Sequence, residues 1–95
     1  MTYYIALIHK EPDSVYGVSF PDVPGVTTAA ETIDEAMANA AEVLAFAAED
    51  WRELRQEEFP NPRTIDELRN DPGLSDDLTD AIVAAVPIKS LADAA

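Results

Sequence analysis

Residues Tyr16-Gly17-Val18-Ser19-Phe20-Pro21-Asp22-Val23-Pro24-Gly25-Val26 decide how this chain folds. Tyr16, Val18 and Phe20 alternate with Gly17 and Ser19, the period-two pattern of a strand. Pro21, Pro24 and Gly25 then fall within five residues, and such a segment cannot continue a hydrogen-bonded ladder. The reading is a strand that runs into a rigid loop. Just upstream, Glu11-Pro12-Asp13-Ser14 is a turn by composition. Residues 3–9 place Tyr3, Ile5, Leu7 and His9 on one face and Tyr4, Ala6 and Ile8 on the other. Both faces are largely apolar, so this first strand is expected to be covered on both sides. The two strands form a hairpin, and residues 26–30 supply a short third strand.

Downstream, Thr32-Ile33-Asp34-Glu35 is a capping box, with hydroxyl and carboxylate placed to satisfy each other's orphan backbone N–H groups. It predicts a long helix from Thr32 to about residue 57. Ile33, Met37, Ala40, Leu44, Ala47, Trp51 and Leu54 make an apolar stripe at helical spacing. Glu35, Glu42, Glu49 and Glu53 lie opposite. Pro60 and Pro62 end the helix. A second box, Thr64-Ile65-Asp66-Glu67, starts a short helix bounded by Pro72-Gly73, and Asp76, Asp77 and Asp80 follow in a polar connection. Residues 81–86 form a compact apolar run without alternation, ending in Pro87-Ile88; it is read as a final strand, although a short helix has the same composition. The expected fold is α+β: a two-layer sandwich in the order β-β-β-α-(short α)-β, with the long helix on one face of an antiparallel sheet. Residues 1–88 are expected to form one domain, and residues 89–95 a short flexible tail.

Composition narrows the function. The chain has 95 residues, 19 Asp and Glu against 6 Lys and Arg, a formal net charge of −13, no cysteine and one histidine. Nucleic-acid binding draws most of its affinity from cations placed on phosphates, so this field repels DNA, RNA and anionic lipid and attracts a basic protein. Without cysteine there are no disulfides, thiolate nucleophiles or thiolate-bound metals. No apolar run approaches the ~20 residues of a membrane span, and the N-terminus has no signal-peptide pattern. A cytoplasmic location is expected.

Catalysis finds little support. His9 stands at a strand end without a sequence-level partner, and none of the serines lies in a Gly-x-Ser-x-Gly turn. A two-metal site needs three or four converging carboxylates, but only Asp13 and Asp22 lie close to the sheet. The other acids fall on the helix or in connections, so a solvated acidic surface is expected, with no metal, no cofactor and no enzymatic activity. Binding is better served. The acidic helix face is either a solvated face or a docking surface for a basic partner. Phe46 falls about 140° from the centre of the apolar stripe at ~100° per residue. Either the short second helix or the returning chain covers it, or it makes an interface contact, with a partner or in a homodimer. Edge strands add to the expectation of a homodimer.

Tyr3-Tyr4-Ile5-Ala6-Leu7-Ile8, then the Phe-Pro-Asp-x-Pro-Gly string from Phe20 to Gly25, then Thr32-Ile33-Asp34-Glu35-Ala36 resemble the HicB family of antitoxins. Pro60-Asn61-Pro62-Arg63 and the strand through Val86-Pro87 extend the resemblance over residues 3–88. It implies a partial RNase H fold without nuclease activity. It also implies an antitoxin of a type II toxin–antitoxin system, which binds and occludes HicA, a small basic ribonuclease that cleaves mRNA. Family members usually add a C-terminal DNA-binding domain, for which no room is seen after Ile88, so direct nucleic-acid binding by this chain is not expected. The alternatives are a stand-alone protein-binding module derived from such antitoxins and a residual metal-dependent nuclease. The residues expected to meet the partner are Phe20, Asp22, Glu42, Phe46, Glu49 and Glu53. The loop from Phe20 to Gly25 has a plainer reading, in which it only directs the chain. Asp22 then either positions that loop or stands where a nuclease carboxylate stands in a complete RNase H fold.

Overall fold

The computed structural model describes residues 2–55 and 58–88. Its elements are β1 (Thr2–Lys10), β2 (Tyr16–Ser19), β3 (Thr27–Ala30), α1 (Ile33–Asp50) continued by a π-helical turn (Trp51–Arg55), α2 (Ile65–Arg69), a 3-10 turn (Pro72–Leu74), α3 (Ser75–Leu78) and β4 (Ile82–Ile88). The expected α+β order is present. The four strands form one antiparallel sheet in the order β3-β2-β1-β4. The expected end of the long helix at residue 57 and the tail at 89–95 lie outside the described residues.

β1 is a central strand, and its even residues Tyr4, Ala6 and Ile8 are buried beneath α1. They share one core with Val18, Phe20, Val23, Ala30, Ala36, Ala40, Leu44 and Val86. Alanine at positions 6, 36 and 40 lets the helix axis come close to the sheet, and Leu44 fills the space beyond. The buried row of α1 is therefore Ala36, Ala40 and Leu44. Ile33, at the first turn, is 38% exposed and Leu54, past the end of α1, is 79% exposed. The ends of the predicted stripe thus overshoot the sheet. A π-helical turn is wider than an α turn, so the stripe also loses its phase from Trp51 onward.

The odd face of β1 is covered over only part of its length. Leu7 is buried, whereas Tyr3 is 54% exposed. Leu74 and Asp77 line a shallow depression with Leu7 and Ser19. His9 ties the same region down by donating from Nε2 to the Asp77 carbonyl (2.7 Å). That bond gives the lone histidine a structural task. The segment around Asp76 and Asp77, expected to be a connection, is helical instead. Pro72 does not end the structure there: Asp71 accepts from the Gly73 N–H (2.9 Å), and a proline is well tolerated at the first position of such a turn.

Of the two Thr-Ile-Asp-Glu strings, the second forms the full box that the sequence predicts and the first forms only half of it. At Thr64 both halves of the box form, with Glu67 N–H donating to Thr64 Oγ1 and Thr64 N–H to Glu67 Oε1. At Thr32 the hydroxyl half forms, from Glu35 N–H (3.1 Å). β4 runs through Pro87, which a sheet accepts because β4 is an edge strand and needs no donor on its open side.

Candidate functional site

The loop after β2 folds tightly. Val23 N–H donates to the Phe20 carbonyl and Val26 N–H to the Val23 carbonyl, and Gly25 takes a φ of +88°, which favours glycine. This turn buries Phe20 and Val23 and aims the Asp22 carboxylate across the molecule. There it accepts from the backbone N–H of Arg63 (2.7 Å) and from its Nε–H (2.6 Å). Arg63 Nη1 donates onward to Asp71 (3.0 Å). Hydrogen bonds to Asp22 and then Asp71 hold the guanidinium pKa above its ordinary value. Arg63, followed by the Gly73 N–H, holds the Asp71 carboxyl below the usual range.

The chain between α1 and α2 is clamped at the same place. Tyr4 donates its hydroxyl to the Pro60 carbonyl (2.6 Å), and Phe59 stacks at a tilt on Tyr4 and edge-on against Trp51. Burial, with a smaller contribution from the Asp22 charge, raises the Tyr4 pKa. Phe20-to-Gly25 and Phe59-to-Arg63 therefore act as two halves of a latch that joins the sheet to the α2–α3 excursion. Arg63 and Phe59 are the partners that the sequence reading missed. Their signal was faint: a lone arginine and a lone aromatic around two prolines.

This placement corrects two expected partner contacts. Phe20 is 3% exposed and belongs to the core, so it offers no surface to a partner. Asp22 has a side chain only 6% exposed with both oxygens engaged by Arg63. A carboxylate saturated in this way is a structural acceptor. Among the described residues no group of three or more His, Asp or Glu side chains converges to hold a metal.

The remaining four expected contacts lie along the outside of the long helix. Glu42, Phe46 and Glu49 follow each other at spacings of four and three, on one face. Phe46 is 64% exposed, so neither the short helices nor the returning chain covers it. It borders a shallow groove with Thr28, Asn39, Glu42 and Val43, next to the open edge of β3. Glu42 is exposed, while Glu49 is half-buried and pairs with Arg52 at 3.1 Å. The π-helical turn rotates exposed Glu53 out of strict register with the other three. A second hollow, lined by Pro24, Val26, Ala47, Asp50, Trp51 and Leu54, opens on the same helix. Two large exposed apolar side chains, Phe46 and Leu54, thus stand among carboxylates.

Fold and surface together describe a small α+β domain whose distinctive feature is an acidic face with apolar anchors. The chain belongs to the HicB-like antitoxin family of bacterial toxin–antitoxin systems, whose pattern residues 4–94 match. It is 41% identical over 73 residues to an uncharacterised 14.9 kDa protein from the rep–hol intergenic region of Haemophilus phage HP1 (strain HP1c1), a match covering 77% of this chain. The chain spans about half, 53%, of that relative's length. Its fold is similar to the crystal structure of the Burkholderia pseudomallei antitoxin HicB, with a TM-score of 0.79 and 33% identity over 98% of this chain and 67% of that one. It is also similar to a chain of the HicA3 and HicB3 toxin–antitoxin complex, with a TM-score of 0.71 and 25% identity over 93% of this chain and 99% of that one.

Proposed function

We propose that this domain is an antitoxin that binds a small basic HicA-like ribonuclease and masks its RNA-binding surface. Family membership and the likeness to a chain from a toxin–antitoxin complex support the reading. The observation in this molecule that carries it is Phe46, an aromatic anchor left 64% exposed amid carboxylates on a chain of net charge −13. A toxin must be positive to hold RNA. The acidic face competes for that charge, and Phe46 supplies the apolar contact that a hydrated carboxylate cannot. The domain breaks no bond itself, takes no cofactor, does not bind nucleic acid, and works in the cytoplasm as a homodimer. No helix among the described residues is long and apolar enough to cross a membrane.

The test is titration with the purified small basic protein encoded beside this gene, read by calorimetry and by protection of a model mRNA from cleavage. A complex with submicromolar Kd that blocks cleavage is expected. A Kd weaker than micromolar would sink the proposal. Reversing Glu42, Glu49 and Glu53 to Lys adds two charges at each position, which moves the net charge from −13 to −7. Association should slow about tenfold or more at low salt and lose most of its salt dependence. Unchanged rates would move the docking surface off this helix.

A further inference from the structure

No lysine or arginine lies between Lys10 and Arg52, a stretch that builds β2, β3 and α1 and carries nine carboxylates. The groove beside Phe46 is cut into this stretch. Thr28, Asn39, Glu42, Val43 and Phe46 line it, and its volume is about 250 Å³. That is below the roughly 300–1,000 Å³ of a site that encloses a small molecule, and it suits a single side chain.

The polar groups of the lining call for a donor. The Glu42 carboxylate is exposed and, among the described residues, forms no ion pair, whereas Asp22, Glu49 and Asp71 are each held by an arginine. The sheet fixes how the Asn39 amide is turned. Pro87 has no N–H, so opposite Tyr3 it must face the open side of β4. Alternation carried through β1 and β2 then turns the backbone groups of Thr27 and Ala29 to the open side of β3. The Ala29 carbonyl can only accept, and it accepts from Asn39 Nδ2 (3.4 Å). The amide oxygen of Asn39 is therefore left as an acceptor, and Thr28 adds a hydroxyl. Phe46 follows Glu42 by one turn on the same face and is 64% exposed.

We infer that this groove receives an arginine side chain of the basic partner. Its stem lies against Val43, its guanidinium plane on the Phe46 ring, and its N–H groups on Glu42 and the Asn39 oxygen. The partner is the basic toxin of the antitoxin reading, on which this assignment rests. A planar guanidinium stacks and donates at the same time, whereas a lysine ammonium is a strongly hydrated point charge. Other occupants fail on charge or on backbone. A nucleic-acid base would stack on Phe46, but no cation of β2, β3 or α1 meets its phosphates. A second copy brings the same carboxylates. A strand added to β3 must first displace Asn39 from the Ala29 carbonyl. Arginines on an RNA-binding surface serve to hold phosphates, so the groove takes from the toxin a group that RNA needs.

The test uses the full chain and separates the groove from the partner. Oligoarginine and oligolysine peptides of equal length carry equal charge. In heteronuclear NMR titrations the arginine peptide should shift the amides of Thr28, Asn39 and Phe46 and bind at least about threefold more tightly than the lysine peptide. Phe46→Leu keeps an apolar side chain without the ring, and Glu42→Gln removes the charge. Both positions are exposed, so both variants should melt like the parent. Phe46→Leu should remove the preference for arginine. Each variant should weaken binding of the small basic protein encoded beside this gene by about three- to tenfold. Asp13→Asn, the same charge change in the turn between β1 and β2, should cost less than about twofold. Changing one arginine of the basic protein to lysine should reproduce the loss, and that loss should largely vanish against Phe46→Leu. Equal binding of the two peptides, shifts confined to other surfaces, or an Asp13→Asn loss equal to that of Glu42→Gln overturns the inference. A basic protein that binds tightly and ignores both groove variants also overturns it, with the antitoxin reading left standing. A basic protein that does not bind, with the arginine preference intact, sinks that reading and leaves the groove as an arginine site.

Discussion

Removing the Asp22 carboxylate tests the latch most directly. Asp22→Ala deletes two charge-assisted hydrogen bonds at once, those to the Arg63 N–H (2.7 Å) and to its Nε–H (2.6 Å). Bonds of this kind contribute about 1.5–3 kcal/mol each. The two losses do not add fully. Arg63 is 36% exposed, so its guanidinium can turn to water and keep Asp71. The part-buried backbone N–H is left with poorer compensation, so a total near 2–3 kcal/mol is expected. In a chain of this size about 1 kcal/mol moves Tm by roughly 4–8 °C, which places the Asp22→Ala melt about 10–20 °C below the parent. Asp22→Asn should lose somewhat less, because it keeps one acceptor oxygen but turns an amide donor toward one of two donors. Urea unfolding followed by circular dichroism measures both. A double-mutant cycle with Arg63→Met isolates the side-chain share, because the backbone bond survives in that variant. A loss under about 0.5 kcal/mol for Asp22→Ala, the size of an ordinary surface substitution, would refute the latch. So would an Asp22→Asn protein that melts like the parent yet no longer binds the toxin, since Asp22 would then be a partner contact.

Other predictions follow from the same core. Burial raises the Tyr4 pKa above its ordinary value of 10.0. The folded state therefore holds this proton more tightly than the unfolded chain, and the contribution is fully present below about pH 10 and lost as pH rises through the folded-state value. Tyr4→Phe should lower stability at neutral pH by about 1 kcal/mol, through loss of the bond to Pro60, and flatten the fall above pH 10 in alkaline denaturation. An alkaline limb as steep as the parent's would refute the assignment. Leu44→Ala should cost about 2–5 kcal/mol in urea unfolding, because Leu44 is fully buried, while Leu54→Ala, at 79% exposed, should cost under about 0.5 kcal/mol. Equal losses would show that the apolar stripe packs along its whole length.

Local signals in the sequence were enough for the four strands, the long helix, the first short helix and their order, but not for α3 or the π-helical turn. Alternation around Tyr16, Val18 and Phe20, the hydroxyl–carboxylate spacing at Thr32 and Thr64, and the prolines at 60 and 62 act within a few residues. Such patterns are read without knowing the rest of the chain. The family resemblance was legible for the same reason, since it rests on strings such as Phe20 to Gly25. Phe46 could be singled out from helical geometry alone, because its angle from the stripe depends only on residue number. Whether anything covered it could not, since that depends on where α2 and α3 come to lie.

The tertiary structure alone decided the rest. Asp22 meets Arg63 across 41 positions and Tyr4 meets Pro60 across 56. No local spacing encodes such contacts, and they turned Phe20 and Asp22 from expected partner contacts into core and latch. The strand order β3-β2-β1-β4 left β4 at an edge and thereby gave Pro87 a meaning. The sequence by itself thus determined an acidic, cysteine-free α+β chain with an aromatic out of place on its helix. Which polar groups are consumed inside, and which surfaces remain for a partner, came from packing, because burial is a property of the whole fold and not of any segment.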